Sequence, residues 1–138
     1  MIALVSIAGL AWIGSSFFAG NRTAIVGAIS HIVERAPWLF AMGMFSLSAL
    51  LFSQAATITT LAPVGLALGI SARQLIAMAP AAAGFFFLPT YGPLIAAISF
   101  DRTGTTKIGK YVVNHSFMVP GLVAVVSSIA IGFAIASL

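Results

Sequence analysis

The 138 residues contain no cysteine and very few charges: two Asp/Glu and six Lys/Arg. Without a thiol there is no disulfide, thiolate nucleophile, iron–sulfur cluster or thiolate zinc site. Charged residues make up 6% of the chain, where water-soluble domains carry about 25%. Eight charges cannot clothe a globule of this length and keep it in solution. An intramembrane enzyme finds no support either, because the two acids and the two His fall near segment boundaries rather than beside a buried serine. No cofactor or metal site is expected.

What is present is apolar surface: 61% of residues are hydrophobic and the mean hydropathy is +1.16. That excludes intrinsic disorder and places the chain in a lipid bilayer as an all-α integral membrane protein. The net charge of +4 does not indicate nucleic acid, because Arg22, Arg35, Arg73, Arg102, Lys107 and Lys110 are scattered rather than gathered into a stripe. Three of them lie within 102–110, which suits an interfacial loop drawn to anionic lipid.

The charges divide the chain into a single membrane domain of five parts. Residues 2–20 have no basic stretch ahead of their apolar run, so they are expected to be a retained span rather than a cleaved signal. In residues 21–36, Ile25, Ile29, Ile32 and Val33 share one helical face, the pattern of an amphipathic helix lying in the interface. The uncharged stretch Ala36–Ala72 would run about 55 Å as one helix, too long for a single crossing. It is slightly short for two crossings plus a turn, and its middle, SQAATITT at 53–60, is polar. A re-entrant helical hairpin over 37–70 resolves this, since non-helical backbone at depth is tolerated inside protein or beside water.

Residues 73–100 are interrupted by LPTYGP at 88–93. Pro89 cannot continue the preceding helix, and Pro93 suits the first turn of a new one. The expectation is a discontinuous helix with halves at 73–88 and 93–100. DRTGTTKIGK then forms a polar loop, and 111–137 a last span. Three transmembrane helices in all, one of them discontinuous, are expected beside the interfacial helix and the hairpin.

A hairpin tip beside a broken helix is a way to hold an anion in a membrane, because half-helix N-termini point positive dipole ends at it. Ser53, Gln54, Ala55 and Thr57 at the tip, and Pro89, Thr90, Tyr91 and Gly92 at the break, are the candidate substrate-binding residues. Their hydroxyls and amides are donors suited to a carboxylate. Neither stretch contains Lys or Arg, so a bound anion could leave again. The plainer readings are a small-residue helix contact at the tip and a structural kink at the break. His31 reads as interfacial, Asn114 and His115 as interface anchors or caps, with a proton relay through His115 the sharper alternative. Asp101 with Arg102 reads as a helix-end pair.

SQAAT at 53–57, APVGLALG at 62–69, FFFLPTYGPLIAA at 85–97 and DRTGTTKIGKYVVNH at 101–115 together resemble the C-terminal part of the anaerobic C4-dicarboxylate transporter (Dcu) family. More distantly, the layout resembles divalent anion/sodium symporters of the ion transporter superfamily, whose hairpin tip is Ser-Asn-Thr. Ser53 matches that tip, whereas Gln54 and Ala55 differ from it. The resemblance implies bacterial inner-membrane, multi-pass carriage of fumarate, succinate, malate and aspartate by exchange, with the 101–110 loop in the cytoplasm. It also implies half of an inverted-repeat fold, completed by an N-terminal transporter half and possibly by a homodimer. The alternatives are a non-transporting remnant or helix-packing partner, and an anion channel.

Overall fold

The computed structural model describes residues 9, 12–13, 16–17, 19–25, 27–28, 31, 38–109 and 113–138. Much of the span expected at 2–20 and of the interfacial helix at 21–36 lies outside the described residues; those described between 9 and 31 are helical. Lys110 and the two residues after it, in the loop and at the expected start of the last span, also lie outside.

Among the described residues the chain is all-helical and has no strand, the nearest thing being an isolated antiparallel bridge between Ile108 and His115. Helix α1 is Leu39–Leu51, α2 is Gln54–Ala67 and α3 is Ala72–Met78; a 3-10 segment, Ala79–Phe86, follows α3 directly. After a break come α4, Gly92–Phe100, and α5, Met118–Ala136.

Helix α1 places Phe40, Met44, Leu47 and Leu51 on one face, and all four are buried. They meet Leu61 of α2, Ile70, and Leu75 and Met78 of α3 in one apolar core. Fully burying each such side chain contributes on the order of 1.5–3 kcal/mol. The 3-10 segment presses directly on α1. A Cβ on Gly84 would lie 2.5 Å from the Phe45 carbonyl oxygen, so only glycine lets these backbones approach so closely. Phe45 in turn packs edge-on against Phe86 and Phe87, with centroids 6.0 and 5.5 Å apart.

Two polar devices set the chain reversals. Helix α2 ends in a Schellman turn, in which Gly69 (φ 81) donates to the Leu66 carbonyl and Ile70 to that of Gly65, each at 3.0 Å. Helix α3 opens with a capping box between Ser71 and Gln74.

By length and apolarity, one helix among the described residues is able to cross a membrane: α5, with 19 residues. Of the three crossings expected, α5 accounts for the one at 111–137, and much of the one at 2–20 lies outside the described residues. Helices α1 and α2, of 13 and 14 residues, reach only about 20 Å, short of a hydrocarbon core of about 30 Å. The stretch 73–88 is not one α-helix, since it tightens to 3-10 geometry at Ala79 and kinks at Ala83 (φ −91, ψ 16). Helix α5 begins at Met118 rather than near 111, because residues 113–117 fold back on the loop. There the Ser116 amide donates to the Lys107 carbonyl and the Gly109 amide to that of Asn114.

Candidate functional site

Helices α1 and α2 meet at a two-residue apex. Phe52 takes the left-handed conformation (φ 51, ψ 28), which reverses the chain, and Ser53 is extended (φ −146, ψ 115). The Ser53 hydroxyl accepts from the Ala56 amide at 3.2 Å, an N-cap. Its carbonyl accepts from the Thr57 amide at 3.2 Å and from the Thr57 hydroxyl at 2.8 Å. Thr57 is fully buried. Its hydroxyl therefore braces the apex from within, while Gln54 and Ala55 are exposed. With Ala56 capped, the amides of Gln54 and Ala55 remain the open donors of the first turn.

The break spans Phe87–Tyr91. The Tyr91 amide turns back to the Leu88 carbonyl at 3.3 Å, and the Tyr91 carbonyl receives the amides of Leu94 and Ile95 at 3.0 and 3.1 Å. Pro93 carries no amide, so the mouth of α4 offers an anion only the amide of Gly92, which is buried. The two helix starts are thus unequal, and α2 is the stronger donor. Pro89 is half-buried and Thr90 exposed.

Apex and break are brought together by their rings. Phe52 stacks on Tyr91 with centroids 6.2 Å apart and planes 16° from parallel, and Phe85 closes on Tyr91 at 4.8 Å. Among the described residues no hydrogen bond joins Ser53, Gln54 or Thr57 to Pro89, Thr90, Tyr91 or Gly92.

An open groove of about 420 Å³ runs from Gln54 along Ala79, Pro80 and Ala83 to Ser128 of α5. Sequence reasoning missed its far wall. Small residues at 79, 83 and 124 leave the space, and Ser128 is its second polar side chain. Ser127, the neighbouring hydroxyl, turns away and donates to the Val123 carbonyl at 2.6 Å. Also missed was Phe52, whose left-handed backbone (φ 51) nothing in the sequence signals. Among the described residues no three His, Asp or Glu converge in a way that could hold a metal ion.

Beyond α4, Asp101 gathers the loop. Hydrogen bonds from the Thr103 and Thr106 hydroxyls, and then from the amides of Thr106 and Thr103, hold its carboxyl well below the usual carboxylate range. The Thr103 amide donates to Oδ1 at 2.7 Å and the Thr106 amide to Oδ2 at 2.6 Å.

The sequence matches a family of known proteins along its whole length. Residues 1–138 fit the family described as anaerobic C4-dicarboxylate membrane transporter. The chain is 41% identical over 138 residues to the anaerobic C4-dicarboxylate transporter DcuB of Escherichia coli O6:H1, covering 100% of this chain and 31% of that protein. It is 43% identical over 137 residues to the C4-dicarboxylate transporter DcuA of Escherichia coli K12, covering 99% of this chain and 32% of the relative. With DcuA of Wolinella succinogenes the identity is 43% over 136 residues, 99% of this chain and 31% of the relative. No solved structure matches the chain. The chain thus spans about a third of the length of these relatives, and it belongs to the anaerobic C4-dicarboxylate membrane transporter family.

Proposed function

We propose that the chain forms part of a secondary transporter for C4-dicarboxylates, among them fumarate, succinate, malate and aspartate, that exchanges one dicarboxylate for another by alternating access. The observation that carries this reading is the stacking of Phe52 on Tyr91, which puts the capped start of α2 beside the interrupted helix. One carboxylate of the substrate binds at the open amides of Gln54 and Ala55, with the Ser53 and Thr90 hydroxyls and the Gln54 amide completing its shell. The second carboxylate binds in the remaining two thirds of the transporter, which supplies a second hairpin and break as an inverted repeat. The protein sits in the bacterial inner membrane as a multi-pass protein, with the loop at 101–110 in the cytoplasm.

Exchange has an electrostatic rationale. Moving one charge through 100 mV involves about 2.3 kcal/mol, hence about 4.6 kcal/mol for a dianion. Returning a second dianion cancels that term. A site built from neutral donors and helix ends releases its ligand more readily than one closed by Arg or Lys.

The experiment is counterflow. The full-length transporter is reconstituted in vesicles loaded with succinate, and labelled fumarate uptake is followed. Uptake that requires internal succinate supports the reading; its absence with folded, inserted protein contradicts it. Ser53→Ala and Thr90→Ala are expected to lower uptake, and Ser127→Ala to leave it unchanged.

A further inference from the structure

His115 is buried, with 6% of its surface exposed, although it lies just outside α5 in a polar loop. Its Nε2 is 3.3 Å from the carbonyl oxygen of Phe87. A carbonyl only accepts, so Nε2 carries the proton and donates. The partner is a particular one. In a continuous helix the Phe87 carbonyl would receive the Tyr91 amide, but that amide turns to Leu88. The break therefore strips Phe87 of its helical donor, and a side chain 28 residues further on replaces it.

His115 is itself held firmly. Its neighbour Ser116 accepts the Lys107 amide on its hydroxyl at 2.9 Å and donates its own amide to the Lys107 carbonyl at 3.0 Å, and His115 bridges to Ile108. The carboxylate of Asp101 ties the other end of the same loop. On its other side the break leads to Tyr91, which is stacked against the apex. Among the described residues Nδ1 of His115 is buried without a partner.

We propose that His115 is a positioning residue for substrate binding: by donating Nε2–H to the carbonyl that the break frees at Phe87, it fixes the course of Leu88–Tyr91 and so the placing of Thr90 and Tyr91 beside the hairpin apex. The role is that of a donor, and the ring's second nitrogen takes no part in it. The consequence for transport rests on the dicarboxylate reading above; the consequence for the backbone of the break does not.

Two variants of similar length separate donor from shape in the full-length transporter: His115→Gln, whose amide donates, and His115→Met, which cannot. Hydrogen exchange in nanodiscs over 85–94 is expected to quicken by about five-fold at the break in His115→Met, the effect of one lost hydrogen bond, and to keep its wild-type rate in His115→Gln. In succinate exchange, His115→Met raises KM by about five-fold with maximal rate nearly unchanged, and His115→Gln restores KM. Loss of folded carrier alone would lower the maximal rate and leave KM as it was. Equal hydrogen exchange in all three proteins overturns the proposal whatever transport does, and so does a Gln variant as impaired as Met. The expected hydrogen-exchange pattern in a wild-type protein that moves no dicarboxylate upholds the strut and contradicts the substrate reading instead.

Discussion

The ring of Phe52 lies nearly parallel to that of Tyr91, with centroids 6.2 Å apart and planes 16° from parallel, so the apex of one helical hairpin is seated on the interruption of another helix. Phe52 holds a left-handed backbone (φ 51) to do this, a conformation that non-glycine residues seldom adopt. Such aromatic pairs contribute about 0.5–1.5 kcal/mol beyond area burial. Phe52→Ala keeps the backbone strain and loses the ring, whereas Phe52→Gly loses the ring but relieves the strain. In denaturant titration of micellar protein, Ala is expected to be the more destabilising. A double-mutant cycle with Tyr91→Ala is expected to show coupling within the range above; additive effects would mean that the rings do not support one another.

The cap at Ser53 gives a second expectation. Its hydroxyl accepts from the Ala56 amide, and removing such a cap costs about 1 kcal/mol. Ser53→Ala should lower stability by that amount, while Ser53→Thr, which retains the oxygen, should stay close to wild type in the same titration. Loss of stability in Thr equal to that in Ala would show that the hydroxyl is not the capping group.

Contact between α1 and the 3-10 segment makes a third. A methyl group at Gly84 would meet the Phe45 carbonyl at 2.5 Å and the Ser48 hydroxyl at 2.8 Å, backbone on one side and a buried side chain on the other. Overpacking of this kind costs about 1–3 kcal/mol, so Gly84→Ala should lower the thermal midpoint. At Gly20 nothing among the described residues lies within 4 Å of the same position, and Gly20→Ala should leave the midpoint unchanged or raise it. A Gly84→Ala protein as stable as wild type would mean that the two backbones are further apart than described.

The loop after α4 responds to pH in a defined direction. Hydrogen bonds to its carboxylate depress Asp101 in the folded protein. The stabilisation is therefore complete above the ordinary carboxylate value of about 3.9 and fades only as pH falls below it toward the folded value. Hydrogen exchange at Thr103 and Thr106, corrected for intrinsic rate, should show constant protection from pH 8 to pH 5. Asp101→Asn should lose that protection at every pH, and trypsin should cut it faster after Arg102 and Lys107. A loop equally resistant in both proteins would refute the role of the carboxylate.

The helical character of the chain was legible from its apolar content, and both interruptions trace to residues visible in the sequence. The polar run that begins at Ser53 follows the apex, and Pro89 and Pro93 sit at the break and in the first turn of α4. What lay beyond reach depends on contacts distant in the chain. Tightening at Ala79–Phe86 accompanies the seating of Gly84 against Phe45. The late start of α5 reflects pairing of Ser116 with Lys107. Thr57, a candidate because it is a hydroxyl in a polar run, donates one helical turn back to the Ser53 carbonyl, a bond that the linear sequence does not display. Ser71 with Gln74 was a readable capping box that marks the start of α3. Among the candidates, Gln54 lines the groove, whose second polar side chain, Ser128, is placed there by the packing of α5.

Since the chain has no cysteine of its own, single cysteines at Gln54 and at Thr90 can report the proposed site directly, in a full-length transporter stripped of any others. Each is labelled with a water-soluble maleimide in membranes while succinate is titrated. If apex and break hold one substrate, both positions are protected with the same half-saturating concentration, and acetate protects neither. Protection of one position without the other, or of both at unrelated concentrations, would contradict a shared dicarboxylate site.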